Sequence, residues 1–422
     1  MKLEKNQSDN KNLLLKRLFL TLGLLIFIRI GTFLPVPGIN HGHLTFYIQR
    51  HSITKSLVST FSGNDVFVIG LFTLNIFPYI NASILMQLLV SLIPGLAKLQ
   101  KEGGSEGRRT IARITRIITL GWALVQSTSV AFYLKRALFN WNLILVGEII
   151  IWLTTGSMIV LWLSELITEY GLGNGASLLI YTNIIASLPN LGKKLIEESF
   201  ESYNFSTWFL ISLLFFIAIY GIVLLQEGVR IVPLISSKQL VQITPAVSEF
   251  SKNNYIPLRF NQAGVMPIIL TTAVLVIPNY INTLGILPIL TLPALNQSSK
   301  ILYWLSYFIL ILLFSSFYSN IILNPKDISN DLQKMAVSIP GIRPGISTTY
   351  YLKQVMRRVT LLGAIMLALL ATLPNILESI LNTSSFNGLG TTSLLILVGV
   401  ILDLSREIRS ILLSNIYNDM FN

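Results

Sequence analysis

The feature that most constrains this chain is a series of apolar runs, each long enough to cross a lipid bilayer. A bilayer core about 30 Å thick needs roughly 20 mostly apolar residues in a helix. Six runs are regular: 18–34, 113–134, 147–168, 206–226, 302–323 and 356–377. Four more are interrupted by polar residues, glycine or proline: 76–95, 175–190, 263–283 and 388–405. The sequence therefore predicts an all-α polytopic membrane protein with ten transmembrane helices.

Composition argues against other classes of protein. Only 12% of the 422 residues are charged, against about 25% in soluble domains, and 52% are apolar. The chain has no cysteine, which excludes disulfides and thiolate chemistry. Its three histidines, His41, His43 and His51, lie in one polar stretch without a third ligand at metal-site spacing, so we expect no metal and no cofactor. The polar segment 1–17 has no small-residue cleavage site, and we expect no removable signal peptide.

The basic residues are distributed unequally between the two sides of the membrane. Of the 31 Lys and Arg residues, 23 lie in loops on the side of the chain termini and 7 in the opposite loops, within a net charge of +12. Loops rich in Lys and Arg stay on the cytoplasmic side. We therefore expect both termini to be cytoplasmic, or stromal in a plastid.

Two of the irregular spans suggest a central path through the membrane. The second span opens with Asn75–Asn81 and the seventh with Gln262–Pro267, and each contains a proline near its start. Five spans invert the topology, so the halves 1–195 and 196–422 would be related by a pseudo-two-fold axis in the membrane plane. Proline kinks used only for packing would explain either helix alone. Their matching positions in both halves favour a pore or transport path.

The remaining sequence features bear on whether the protein is a channel, a transporter or an enzyme. The run 63–75 is too short and too polar to cross a bilayer, and we interpret it as a half-helix or re-entrant segment. Polar residues on the second and seventh spans suit either interhelical hydrogen bonds or a wettable seam. No pair of acidic residues lies inside the spans, which disfavours a secondary transporter of a small solute, the alternative function. The sequence offers no pair of a nucleophile and a base that would suggest an enzyme.

Two basic loops on the inner side are candidates for partner binding. Residues 98–116 carry six cations, and 324–358 carry six more. In the second loop, two prolines and two glycines within Ile339–Gly345 form a stiff bend that presents Arg343. Such cations could simply orient the helices and touch anionic lipid. Loops this long are usually functional, and their charge suits an acidic or RNA-rich partner.

Several stretches together resemble the SecY/Sec61-alpha family, the channel-forming subunits of the Sec preprotein translocase, over nearly the whole chain. The matching stretches, in order, are RIGTFLPVPGIN (29–40), FSGNDVFVIGLFTLNIFPYINASILMQLL (61–89), KEGGSEGRRTIARITR (101–116), ITEYGLGNGASL (167–178), QAGVMPI (262–268), NPKDISNDLQKMAVSIPGIRPG (324–345) and TSLLILVGVILD (392–403). The composition, rich in Asn, Ile and Leu, is typical of a plastid-encoded member. For a member of this family, that composition favours the thylakoid membrane with stromal termini, with a bacterial plasma membrane as the alternative.

The resemblance also implies a function and a set of residues for it. Unfolded preproteins would cross between the two halves, and hydrophobic helices would leave sideways through a gate between the second and seventh spans. The plug would be 63–75, including Gly63, Asn64, Asp65 and Gly70. The pore ring would be Ile76, Ile80, Ala176, Ile180, Ile269 and Ile396, with Ala176 smaller than the usual bulky residue. The lateral gate would include Pro78, Asn81, Gln87, Pro267 and Thr271.

The resemblance finally implies partners. The loops 226–262 and 324–358 would receive the SecA motor ATPase and the ribosome, through Arg230 and Arg343. Arg108 and Arg109 in the earlier basic loop would contribute to docking. Arg230 stands where the family usually carries two adjacent arginines. A SecE-like clamp subunit and a SecG-like subunit would complete the channel.

Overall fold

The fold is known from a computed structural model. It describes residues 2–37, 70–134, 142–202, 205–236, 254–262, 264, 266–268, 270–271, 274, 300–322, 324–381 and 391–421. The chain forms two compact units, one of residues 1–194 with 400–422 and one of residues 195–399. The sequence predicts a single boundary at 195/196, and that division stays a prediction.

Helices make up most of both units. In chain order they are α1 (Lys2–Gly31), α2 (Phe77–Leu92), α3 (Pro94–Glu102), α4 (Gly104–Leu134), α5 (Leu143–Tyr170), α6 (Gly175–Ser202), α7 (Phe205–Glu227), α8 (Lys300–Ile322), α9 (Pro325–Lys334), α10 (Ile346–Leu381) and α11 (Thr391–Phe421). The all-α membrane fold is confirmed, and nine of the ten predicted spans coincide with these helices. The seventh, 263–283, falls largely outside the described residues.

Some of these helices are, each by itself, long and apolar enough to span a membrane. Within the described part of the chain, Leu143–Tyr170 and Ile346–Leu373 are each long and apolar enough to cross a bilayer. A third candidate is the bent pair Phe77–Leu92 and Pro94–Gln100, whose two parts meet at 106°. The bend follows from the sequence, because Ile93 is extended and Pro94 cannot continue the preceding helix.

The first unit is held together by helix contacts that include polar pairs. The helix α4 packs against both α2 and α5. Buried Ser127 on α4 and Thr154 on α5 share a hydrogen bond of 3.0 Å between their hydroxyls. Nearer the loop side, Arg116 Nε donates to Glu165 Oε1 at 2.8 Å. Hydroxyl and charge pairs of this kind link transmembrane helices that hydrophobicity alone would not align.

Close packing at α5 leads to a stability prediction. A Cβ on Gly156 would lie 2.0 Å from the carbonyl oxygen of Leu71, whereas a Cβ on Gly147 of the same helix would meet nothing within 4 Å. We expect Gly156→Ala to lower the free energy of unfolding by about 1–3 kcal/mol, because the backbone must shift. Gly147→Ala should be neutral or raise it by about 0.5–1 kcal/mol. Thermal melting in detergent distinguishes the two, and equal melting temperatures would contradict this packing.

In the second unit, the two long inner-side loops fold together. Strand β1 (Val229–Pro233) pairs antiparallel with β3 (Tyr255–Arg259), and β2 (Ile235–Ser236) pairs antiparallel with β4 (Val337–Ser338). Behind the strands lies an apolar core of Val232, Leu258, Leu332, Ile339, Leu352, Val355, Met356 and Val359. We call residues 228–236, 254–260 and 324–359 the loop body. The sequence predicts only helices and loops here, so the strands are an addition from the structure.

Candidate functional site

The segment just before α2 is fixed to the turn that follows α1. Gly70 forms an isolated β-bridge with Pro35, and the Leu71 amide donates to the carbonyl of Leu34 at 2.8 Å. The Thr73 hydroxyl donates to the carbonyl of Gly70 at 2.7 Å. Residues 72–76 are all buried. One end of the predicted plug segment is thus anchored in the first unit, while Gly63, Asn64 and Asp65 lie outside the described residues.

The described part of the predicted half-helix is a series of turns and not a regular helix. Asn75 has a φ of +47°, a left-handed conformation that interrupts a right-handed helix. Its side chain compensates locally, because Oδ1 accepts a hydrogen bond from the Ile76 amide at 2.8 Å. The half-helix prediction therefore needs correction over residues 70–75.

Asn75 supports a second stability prediction. Replacement by Val places a β-branched side chain at positive φ, which costs about 1–2 kcal/mol of folding free energy. Asn75→Gly should be milder, because glycine adopts this conformation freely and loses only the side-chain hydrogen bond. Melting in detergent should rank the wild type first, Asn75→Gly second and Asn75→Val last. Equal melting of the two variants would contradict a required left-handed residue.

The pore-ring candidates of α2 lie at its start and are buried. Ile76 and Ile80, one turn apart, are 1% and 8% exposed. Pro78 lies in the first turn and is also buried. Of the gate candidates, Asn81 is half-buried and Gln87 is exposed. The helix therefore begins with covered branched aliphatic side chains and becomes more exposed toward its end.

The other ring candidates are on separate elements. Ala176 and Ile180 are half-buried in the first turns of α6, and Ile396 is half-buried on α11. The start of α6 is fixed by two hydrogen bonds, from the Ala176 amide to Asn174 Oδ1 at 3.0 Å and from the Gly175 amide to Thr168 Oγ1 at 2.9 Å. Ile269 lies outside the described residues. The ring as a whole stays a prediction.

The seventh span begins at a polar contact that sequence reasoning missed. Gln262 lies directly before this span, and its Oε1 accepts a hydrogen bond from the Ser319 hydroxyl on α8 at 2.9 Å. Within the span, Pro267 and Thr271 are buried, and the Thr271 hydroxyl donates to the Pro267 carbonyl at 2.7 Å. Ser319 is one of four serines in the 302–323 run, so its hydroxyl alone did not distinguish it in the sequence.

The tip of the second loop presents Arg343 from a fixed bend. Gly341 and Gly345 have φ values of +75° and +104°, which glycine adopts without strain. The Ser329 hydroxyl donates to the Gly345 carbonyl and the Thr348 hydroxyl to the Arg343 carbonyl, both at 2.9 Å. The backbone is therefore held by hydrogen bonds while the side chain of Arg343 is exposed.

The other docking candidates are also exposed. Arg230 lies on β1 opposite Leu258 of β3, which belongs to the shared apolar core. Arg108 and Arg109 lie near the start of α4. The loop body thus brings Arg230 and Arg343 into one folded element, whereas Arg108 and Arg109 belong to the first unit. The histidine stretch lies outside the described part of the chain.

The helix order, the proline-broken α2 and the folded inner loops define a polytopic helical membrane protein with the fold of a protein-conducting channel. A solved structure described as a protein conducting channel has a TM-score of 0.64 at 18% identity, covering 94% of this chain and 93% of that one. Sec61 in the canine ribosome-channel complex from the endoplasmic reticulum has a TM-score of 0.60 at 17% identity, with coverage of 94% and 93%.

Sequence comparison identifies the family. The SecY family model matches residues 70–405. Protein translocase subunit SecY of Trieres chinensis is 69% identical over 99% of this chain and 100% of its own length. The subunit of the same description from Synechococcus elongatus is 41% identical over 96% of this chain and 93% of its own. The chain belongs to the SecY family.

Proposed function

We propose that this protein is the channel-forming subunit of a Sec translocase, which passes unfolded preproteins across the membrane and releases hydrophobic helices sideways into lipid. The observation that carries the proposal is the 69% identity to a protein translocase subunit over nearly the whole chain. The protein is a passive channel and not an enzyme, and a partner supplies the energy.

The constriction consists of six side chains from both halves. They are Ile76, Ile80, Ala176, Ile180, Ile269 and Ile396. Branched aliphatic side chains close around a moving chain without binding it, and an apolar constriction resists wetting by ions. The burial of Ile76 and Ile80 supports this role. The plug, 63–75, covers the constriction at rest, and the contacts of Gly70 and Leu71 with the turn after α1 support an attachment of its described end to the first unit.

The lateral gate lies between the two proline-broken spans. Pro78, Asn81 and Gln87 are on one side, and Pro267 and Thr271 are on the other. A sufficiently apolar segment leaves the pore here because its transfer from water to hydrocarbon is favourable. The polar anchor between Gln262 and Ser319 supports a fixed base for the second gate helix.

The loop body is the docking element for the SecA motor and the ribosome. Its common apolar core supports a rigid platform from which Arg230 and Arg343 contact a partner. Arg108 and Arg109 add a second basic contact. A SecE-like clamp subunit and a SecG-like subunit complete the assembly.

The protein acts in the thylakoid membrane of a plastid, with stromal termini. Its Asn-rich and Ile-rich composition and its algal and cyanobacterial relatives support this location. A bacterial plasma membrane is the alternative, and the type of ribosome that copurifies with the protein decides between them.

Reconstitution tests the function directly. The protein is placed in vesicles with a SecE-like subunit, and SecA, ATP and a preprotein are added. We expect ATP-dependent protection of the preprotein from external protease, and no protection when SecA is omitted. Saturable uptake of a small solute without SecA, together with no protected preprotein, would instead favour a secondary transporter.

A further inference from the structure

One face of α10 carries basic residues at one end and apolar residues farther along. Gln354, Arg357, Arg358, Leu361 and Leu362 line a shallow recess of about 510 Å³. Positions three and four residues apart lie on the same side of a helix, so these five form one stripe. No carboxylate is among the residues that line the recess.

This stripe is separate from the face of α10 that packs into the apolar core of the loop body. Leu352, Val355 and Met356 are buried in the shared core, whereas Arg357 and Arg358 are exposed. Among the residues that the structure describes, neither guanidinium forms an ion pair. The two cations are therefore available to a ligand, and the core does not depend on them.

The apolar part of the stripe continues into the membrane. Ile346–Leu373 is long and apolar enough to cross a bilayer. Beyond Arg358, the exposed apolar side chains are Leu361, Leu362, Met366 and Leu369. At 1.5 Å per residue, the distance from Arg358 to Leu369 is about 16 Å. That is about half of a bilayer core of roughly 30 Å, the depth of one leaflet.

We propose that this stripe binds one anionic lipid of the inner leaflet. Arg357 and Arg358 hold the phosphate or sulfonate of the headgroup, with Gln354 as an additional donor. An acyl chain lies along the exposed apolar side chains. Guanidinium groups bind such oxyanions through paired hydrogen bonds, and cations at the membrane surface attract anionic lipid. A lipid fits this face better than a partner helix does. The basic end of the stripe matches a charged headgroup, and the apolar side chains that follow it extend over the depth of one leaflet, as an acyl chain does.

Lipid titration of the purified protein with its clamp subunit tests the headgroup contact. Native mass spectrometry in detergent measures binding of dioleoylphosphatidylglycerol, with dioleoylphosphatidylcholine as the uncharged comparison. We expect the double variant Arg357→Gln with Arg358→Gln to bind phosphatidylglycerol about 30-fold more weakly, since each cation that contacts the headgroup contributes roughly fivefold. Phosphatidylcholine binding should not change.

A matched pair of variants controls for net charge. Lys326→Gln with Lys334→Gln removes two exposed cations from α9, and should weaken phosphatidylglycerol binding less than about threefold. Leu361→Asn with Leu362→Asn keeps the cations and tests the acyl contact, and it should also weaken lipid binding. Unchanged melting temperatures show that the variants are folded.

Three results would overturn the proposal. The first is equal phosphatidylglycerol affinity of the wild type and the arginine double variant. The second is displacement of the lipid by millimolar inorganic phosphate, with no effect of the leucine variants, which would indicate a site for a free anion. The third is release of the clamp subunit instead of lipid by the arginine double variant, which would indicate a partner helix on this face.

Discussion

Arg343→Glu is expected to abolish SecA-driven preprotein transport while the protein stays folded and inserted. The side chain is exposed at the end of a bend whose backbone is held by Ser329 and Thr348, so reversing its charge removes no internal contact. A like charge facing an acidic partner costs several kcal/mol at an interface. A loss of 2–3 kcal/mol would lower partner affinity by about 30- to 150-fold.

The measurement is ATP-dependent protease protection of a preprotein in reconstituted vesicles, with SecA binding measured in parallel. Lys334→Glu is the matched control, because it makes the same charge change at an exposed position on the loop body. We expect it to retain most of the transport. If Arg343→Glu transports preprotein normally, this arginine is not the docking contact.

Replacing Ile76, Ile80 and Ile269 together by glycine is expected to raise resting ion conductance at least about tenfold. An apolar constriction excludes ions by dewetting, and removing three branched side chains widens and wets it. Glycine also weakens a helix by about 0.5–1 kcal/mol per position. Alanine at the same three positions therefore provides a second test, because it shortens the side chains without the added backbone freedom of glycine.

Planar-bilayer recording gives the conductance of each variant. The triple valine variant is the control, because valine keeps an apolar branched side chain and should leave the resting conductance close to that of the wild type. If the glycine and alanine variants both conduct no more than the valine variant, these residues do not form the seal.

The positions of most membrane spans along the chain could be predicted because they depend on local information. Bilayer thickness fixes the length of a span, and Pro94 fixes the bend between α2 and α3. The left-handed conformation of Asn75 could not be predicted, because it belongs to a turn that is held by the bridge between Gly70 and Pro35 and by the hydrogen bond from Thr73 to Gly70. A short polar run by itself is equally compatible with a half-helix and with turns.

The strands of the loop body, which carries the docking candidates, could not be predicted from local sequence either. The two-residue strands β2 and β4 are about a hundred residues apart in the chain, and each is too short to form alone. Their pairing depends on the common core around Leu258 and Leu352. The bend at Arg343 was visible from its prolines and glycines, whereas its physical connection to Arg230 required the structure.

Site-specific photocrosslinking tests the central claim most directly. A crosslinker is placed at position 76 or 80, and at Ile151, which is 65% exposed on α5, as the comparison. A preprotein is then arrested during SecA-driven transport. We predict crosslinks to the arrested chain from positions 76 and 80 and none from 151. Transport without any crosslink at 76 or 80, or with equal crosslinking at 151, would contradict a path for the polypeptide past these isoleucines.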